Sequence, residues 1–506
     1  MKYKFKYLSL IIAFLGVILT SCDDLLETKN FTDMSPSNFF KTEGDMDAAV
    51  TGIYLPCTTN WGYSDGGTGS WYNALFNADI NAYYPAGMVT TDEARHYLSN
   101  VFDEFTFGPS TGSAMASTYN VIRFIARATD VINQIEQSTG ATENIRNRYI
   151  SETKTLRAFY MYTLLDWFGP VNVKLNPESL YDNTIEPRPS LVDYVSLIEK
   201  DLKDAIEEDA FPDKYNNDVS NWGRMSKAIA YAIRMKLYMH QRNWEKAKDD
   251  ASKLMQMGFS LENQYEDVFN NLQSDEHIWA IPSSTASDNY YVTEVLPSDF
   301  KRGFTHLGRS YIRGNDANFY AGWQVFCMRW EFYDTFQDSD VRKNTILSEY
   351  VTSNGTHKDR TSGMVGAIPI KYTDTQYADW GIQKAHHVIR YAEVLLSYAE
   401  AENELNGPTT TAITALEEVT DRAGIEIPEL AKSGKDAFRD FILEERGREL
   451  FGEGQRRQDL IRHGVFIQRA QERGKQAKAH HVLFPIPQAV ITESNGIIQQ
   501  NEGYTN

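Results

Sequence analysis

The chain has 506 residues, 42% of them hydrophobic and 13% aromatic, a composition that can bury a large core and excludes an intrinsically disordered protein. Its formal net charge of -19 repels phosphate backbones and anionic headgroups, and no Lys/Arg-rich tract offsets it, so nucleic acid is excluded as a partner. Three cysteines supply neither a disulfide framework nor a CxxC metal pattern; Cys57 and Cys327 leave room for at most one bridge.

The first segment is a targeting signal. Lys2, Lys4 and Lys6 precede an apolar run from Leu8 to Leu19 and then Leu19-Thr20-Ser21-Cys22. A charged stretch, a run nearer a dozen than the roughly 20 residues of a spanning helix, and a small residue before cysteine define a signal peptide over 1–21. The Leu-Thr-Ser-Cys pattern makes Cys22 the acylated N-terminus of a lipoprotein, because diacylglyceryl transfer requires a thiolate there. Each buried methylene contributes about 0.8 kcal/mol, so a multiply acylated cysteine anchors stably in a membrane.

Residues 22–506 form one body, with a loop-bearing N-terminal part over 22–112 and a helical scaffold over 113–281. A loop-rich insertion at 282–381 and C-terminal helices and tail at 382–506 complete it. Within the scaffold, Val121, Ile122, Ile125, Ala128, Ile132 and Ile135 mark one face of an amphipathic helix over Tyr119 to Ile135. A second helix, Ile145 to Phe168, stops at Gly169-Pro170. Further helices are expected at Ser190 to Glu208, Arg224 to His240, Trp244 to Met257, Val388 to Leu405, Thr410 to Ala423 and Lys435 to Arg462. Short links join several into antiparallel hairpins that resemble tetratricopeptide units of about 34 residues. The expected fold is therefore mainly α, a tetratricopeptide-like helical-repeat scaffold. Two long irregular stretches rich in Gly, Ser, Asn and aromatics, Thr58 to Ser113 and Pro282 to Gly381, are where a ligand site belongs.

A series of segments in fixed order resembles the SusD/RagB family of outer-membrane nutrient-binding lipoproteins. They are Phe39-Phe40-Lys41-Thr42-Glu43, Thr91-Asp92-Glu93, Leu156-Arg157-Ala158-Phe159-Tyr160 with Phe168-Gly169-Pro170-Val171, and Trp244-Glu245-Lys246-Ala247 after Ala228 to Tyr238. Then come Arg390-Tyr391-Ala392-Glu393, Ala399-Glu400-Ala401, Glu444-Glu445-Arg446-Gly447-Arg448-Glu449-Leu450, Arg456-Arg457-Gln458-Asp459-Leu460 and Leu483-Phe484-Pro485-Ile486-Pro487. One departure is Ala128-Thr129-Asp130, where members often carry an Asn; it bears on a helix contact. The resemblance implies a protein lipid-anchored to the outer membrane and facing the cell surface. There it captures oligosaccharide or polysaccharide for a SusC-like TonB-dependent transporter, without cofactor or catalysis. Uptake of peptides, as in the RagB branch, is the alternative. The acidic Asp23, Asp24 and Glu27 look like a surface-export signal of such lipoproteins, or a solvated tether.

A saccharide site needs flat aromatic platforms for sugar C–H faces beside polar groups that bind hydroxyl pairs. The two loop stretches hold Trp61, Tyr63, Trp71, Tyr72, Tyr83, Tyr84, Tyr97, Tyr290, Tyr291, Tyr311, Tyr320 and Trp323. By family position, His96, Tyr97 and Trp323 come first. Tyr290 and Tyr291 follow, although an adjacent pair can turn only one ring inward, and Tyr84 and Trp71 complete the aromatic set. Asn81, Asp92 and Arg95 are the polar candidates, while Trp279, Trp330 and Trp380 belong to the core. A glycosidase reading of the carboxylates between Phe438 and Arg462 is disfavoured by arginines at helical spacing: Glu445 with Arg448, Glu449 with Arg446, and Glu453 with Arg456 and Arg457. Such pairs hold carboxylates ionised. His386-His387 and His480-His481 lack a third ligand at metal spacing, so no metal is expected.

Overall fold

The computed structural model describes residues 39–505 apart from 60–61, 65–70, 99, 112, 217, 284–288, 302–303, 307–308, 312–323 and 373–383. Cys22 and the acidic residues after it, Trp61, Tyr320, Trp323 and Trp380 lie outside the described residues.

The backbone of the fold is a row of antiparallel helices. The longer ones are α1 (Glu43–Ile53), α2 (Ile122–Gln137), α3 (Glu143–Phe168), α4 (Leu191–Glu207), α5 (Lys227–His240) and α6 (Trp244–Met255). After the insertion come α7 (Tyr391–Asn406), α8 (Thr410–Ala423), α9 (Lys435–Leu450) and α10 (Arg456–Arg462). Each packs on the next, α2 on α3, α3 on α4, α4 on α5, α5 on α6, and α6 directly on α7 across the insertion between them. The structure bears out a mainly α, tetratricopeptide-like scaffold carrying irregular insertions.

Local sequence explains the elements. Thr142 caps α3, its hydroxyl accepting the Ile145 N–H, and Gly169 at φ 73 ends it, a conformation that costs a glycine little. From Ser151 to Phe168 every side chain of α3 except Lys154 is buried, as expected of a helix that is core on nearly all sides. Its polar residues are paired: Arg157 donates to Asp201 and to the Thr129 hydroxyl, which makes the departure at 128–130 part of the α2–α3 contact.

Two expected helices differ, one at its start and one by an internal break. The segment before α7 is a strand, His386–Arg390, bonded antiparallel to His277–Ile281 with bulges near Ile389, so the helix starts at Tyr391 and the insertion is closed at its base. The expected helix Lys435 to Arg462 is two helices, because Gly452 and Gly454 adopt φ 70 and 77. Tight packing requires those glycines. A Cβ on Gly452 would lie 2.5 Å from the Tyr291 hydroxyl oxygen, and one on Gly454 would lie 2.9 Å from the Tyr84 Cβ.

The break also re-pairs the carboxylates. Glu445 keeps Arg448 but also takes Arg342; Glu449 pairs with Arg342, Arg390 and Arg422 in place of Arg446; Glu453 pairs with Lys371 and Arg390 in place of Arg456 and Arg457. With Glu276 bound by Arg390 and Arg422, and Asp340 by Arg342, the cluster matches five cations with five carboxylates in the interior. Burial opposes the charge on Glu445 and Glu453, and the neighbouring cations overcome it, holding both below the ordinary carboxylate range.

Cys57 and Cys327 are free, buried thiols. Cys57 lies 3.3 Å from the Tyr160 hydroxyl, Cys327 faces the Arg95 carbonyl, and burial pushes both up to about 12. Trp279 is core as expected, whereas Trp330 is half-buried and donates its indole N–H to the Met364 carbonyl. Among the described residues, no helix is long and apolar enough to cross a membrane.

Replacing Arg390 with Met would leave Glu276, Glu449 and Glu453 short of a shared cation inside the protein. The expected loss is about 3–5 kcal/mol of unfolding free energy, read as a lowered denaturant midpoint. A loss below about 1 kcal/mol would show that the cluster contributes little.

Candidate functional site

The two loop stretches are joined to each other. Ala94–His96 pairs antiparallel with Phe326–Met328, placing Ala94 opposite Met328, Arg95 opposite Cys327 and His96 opposite Phe326. The residues before this strand are anchored from below. Asp92 accepts from Arg456 at 2.8 and 2.9 Å and from Arg469 at 2.6 Å, and Glu93 accepts the Gly452 N–H at 2.6 Å. Arg329 donates to the Thr91 carbonyl and to Asp103.

The two acids differ because their partners differ. Burial opposes ionisation at both. At Asp92 the guanidinium groups of Arg456 and Arg469 overcome it and hold the carboxyl well below its usual range. Glu93 has chiefly a backbone N–H to offset burial, and its pKa is raised to about 7.

Beyond this anchor the chain turns outward. Tyr97 is 36% exposed, Leu98 56% and Val101 38%. The His96 and Tyr97 rings lie 4.9 Å apart, tilted by 42°, and the Leu98 N–H holds His96 at Nδ1. Arg95 donates from Nε to the His96 carbonyl. Burial lowers the His96 pKa against the pull of its Leu98 hydrogen bond and of Asp103 and Asp79. In the turn at 79–81 Asp79 accepts the Asn81 N–H and Asn73 donates to the Asn81 carbonyl, while the Asn81 side chain is half-exposed. The stretch 95–97 offers an aromatic pair and a guanidinium along one edge, and the 79–81 turn carries a half-exposed amide.

Other candidates turn inward. Tyr291 is 1% exposed, packed edge-on against Phe326 and Tyr372, and Tyr84 is 5% exposed against His386, so neither ring offers a face to a ligand. Asp92 is likewise corrected from a ligand contact to a structural ion pair, its oxygens being taken by two arginines. Of the adjacent pair, Tyr290 is the half-exposed one. Trp71 lies in a two-residue strand paired with Tyr63–Ser64; its side chain, like the whole of Trp323, falls outside the described residues. Leu98 and Val101, exposed beyond Tyr97, were missed; the signal that could have found them is an apolar residue one and four positions after Tyr97 in a stretch with Ser99 and Asn100. His386 and His387 sit on a strand and pack against Phe76 and Tyr84, and against Tyr372 and His277 respectively. Among the described residues no group of three or more His, Cys, Asp or Glu could hold a metal ion.

A profile of the SusD family matches residues 342–504. SusD-like protein P25 of Formosa agariphila is 25% identical and aligns over 96% of this chain and 97% of its own. The chain is thus similar to the SusD/RagB family, through the profile match in its C-terminal third and through relatives aligned over nearly its whole length. The fold is similar to that of surface glycan-binding protein A from Bacteroides uniformis, with a TM-score of 0.73, 24% identity and coverage of 91% of this chain and 99% of that one. It is also similar to surface glycan-binding protein A from Bacteroides thetaiotaomicron in complex with laminarihexaose, at a TM-score of 0.71, 20% identity and coverage of 91% and 99%.

A raised Glu93 has a definite consequence for stability. The folded chain binds this proton more tightly than the unfolded one, so the contribution is fully present below the unfolded pKa of about 4.3 and is lost as pH rises through about 7. Glu93→Gln keeps an oxygen for the Gly452 N–H without the charge. Thermal unfolding of the two proteins between about pH 5 and pH 8 should show the variant gaining on the parent as pH rises, by at most about 3 kcal/mol. A constant difference would place the charge-sensitive group elsewhere.

Proposed function

We propose that this chain is a lipid-anchored, cell-surface protein that binds oligosaccharide or polysaccharide and delivers it to a SusC-like TonB-dependent transporter, without catalysing its cleavage. The observation that carries the reading is the Arg95–His96–Tyr97 edge, half-exposed at Arg95 and His96 and exposed at Tyr97, built where the two loop stretches pair, on a fold matched nearly end to end by a protein solved with laminarihexaose. Sugar rings present C–H faces that stack on aromatics and hydroxyl pairs that suit guanidinium and amide groups. We assign the platform to Tyr97 and His96, with Tyr290, Trp71 and Trp323 as further aromatics and Arg95 and Asn81 as hydrogen-bonding groups. The signal peptide over 1–21 and Cys22 supply the anchor.

Calorimetry with a panel of soluble glycans, laminarin and starch among them, should find at least one ligand. Tyr97→Ala should weaken it roughly tenfold, the loss of about 1.4 kcal/mol, with unchanged thermal unfolding. Binding of peptides with no response to any glycan would transfer the reading to peptide uptake, and release of reducing ends by the purified protein would overturn the non-catalytic role. On intact cells, added protease should remove the body of the protein; complete protection would refute surface exposure.

A further inference from the structure

A second feature lies on the helical scaffold, away from the loop edge. The α5–α6 turn and parts of α7, α9 and α10 enclose a cleft of about 290 Å³. At the end of α5, the Arg242 N–H bonds to the Met239 carbonyl and the Asn243 N–H to the Tyr238 carbonyl, a reversal that puts Arg242 at φ 55. This is the left-handed position that helix ends normally give to glycine. After other helices of the described chain the position goes to glycine, at Gly258, Gly424, Gly464 and Gly474 with φ 73 to 77, or to Asn495 at φ 50, asparagine being the side chain that tolerates it best. An arginine in that conformation costs on the order of 1 kcal/mol, so its guanidinium is kept against a local strain.

Next to it, Trp244 opens α6. Its indole packs on the small cluster of Tyr238, Met239, Ala247 and Ala401, and the side chain is half-exposed where it borders the cleft. The carboxylates of the cleft are already occupied. Glu400 accepts from Arg462 at 2.6 and 2.7 Å and from His463 at 3.1 Å, and Glu404 accepts from Arg439 and lies 3.3 Å from Lys435. Arg242, by contrast, reaches the Ile461 carbonyl at 3.5 Å, the outer limit of a hydrogen bond. The cleft therefore combines an aromatic surface with a guanidinium left to face an added anion, in a chain of net charge -19.

We propose that this cleft is a second carbohydrate site, specific for an acidic sugar: the C–H face of a uronic acid unit stacks on Trp244 while its carboxylate is held by Arg242. The choice of ligand class rests on the glycan-binding reading; the site itself does not depend on the loop edge. A planar guanidinium suits a carboxylate through two parallel hydrogen bonds, and an aromatic face suits the sugar ring.

The test uses the full mature chain, with glucuronate and glucose as probes in saturation-transfer NMR and calorimetry. Glucuronate should bind roughly tenfold or more tightly than glucose, and less tightly as salt is raised. Arg242→Gly relaxes the backbone and removes the cation, so it should unfold at the same or a higher temperature while losing about tenfold or more in glucuronate affinity. Arg242→Gln should lose the same affinity without the backbone gain. Tyr97→Ala should leave glucuronate binding intact. Equal affinity for the two sugars, glucuronate binding retained in Arg242→Gly, or its loss in Tyr97→Ala would each overturn the proposal. Failure of every neutral glycan to bind, with Arg242-dependent glucuronate binding intact, would sink the loop-edge reading and leave this one standing.

Discussion

The interior ion-pair cluster around Arg390 is the constraint on which the rest of the molecule depends. Arg390 stands where the strand closing the insertion becomes α7, and its guanidinium meets Glu276 on the approach to the insertion and Glu449 and Glu453 at the end of α9. Burying charge is costly, and apolar side chains of the same volume often give equal or greater stability. What apolar packing does not supply is direction. A guanidinium fork is satisfied by carboxylates at a few positions, so the C-terminal helices and the base of the insertion have one relative placement, where a greasy contact would tolerate sliding.

From that cluster the constraint passes outward through a short linker. Glu453, flanked by Gly452 and Gly454, is bound to Arg390 and Lys371. The Gly452 N–H bonds to Glu93, and Arg456, the first residue of α10, bonds to Asp92. Tyr84 and Tyr291, one from each loop stretch, pack onto the two glycines. A single segment thus holds both loop stretches in register, and the strand pair at Ala94–His96 is the result. The edge carrying His96 and Tyr97 is set by the scaffold before any ligand arrives. A ligand meeting a preordered edge loses less to the cost of ordering it.

The helices were legible because their signals are local. Apolar spacing in α2, the cap at Thr142 and the Gly169-Pro170 stop each act within one or two turns, and α8 was bounded correctly from Thr410 to Ala423 by its glycine stop. The partners of the charged residues were not legible. Spacing of three or four predicts an ion pair only while the helix continues, and two glycines end it before Glu453 finds its arginine. The same limit applies to the site. Arg95, His96 and Tyr97 were found as one contiguous stretch, but which loop tyrosines face inward depends on a strand pairing between residues more than two hundred positions apart, which no local pattern encodes. Asp92 and Glu93 carry the chemistry of a binding site and serve as its foundation.

Charge gives the two proposed sites different tasks. A neutral glycan feels little of the field of an acidic protein, so an edge of aromatic rings and hydrogen-bonding groups can capture it wherever the loops place it. An acidic sugar is repelled by the same surface and is held only where a cation outweighs the local carboxylates and shares a wall with an aromatic ring. In the cleft beside Trp244, Glu400 and Glu404 are consumed by Arg439, Arg462 and His463. The residue left to face an added anion is the one that occupies a glycine conformation. Strain retained at Arg242 and relieved by glycine after four other helices is a local cost that the fold itself does not require, and an anion-binding role accounts for it.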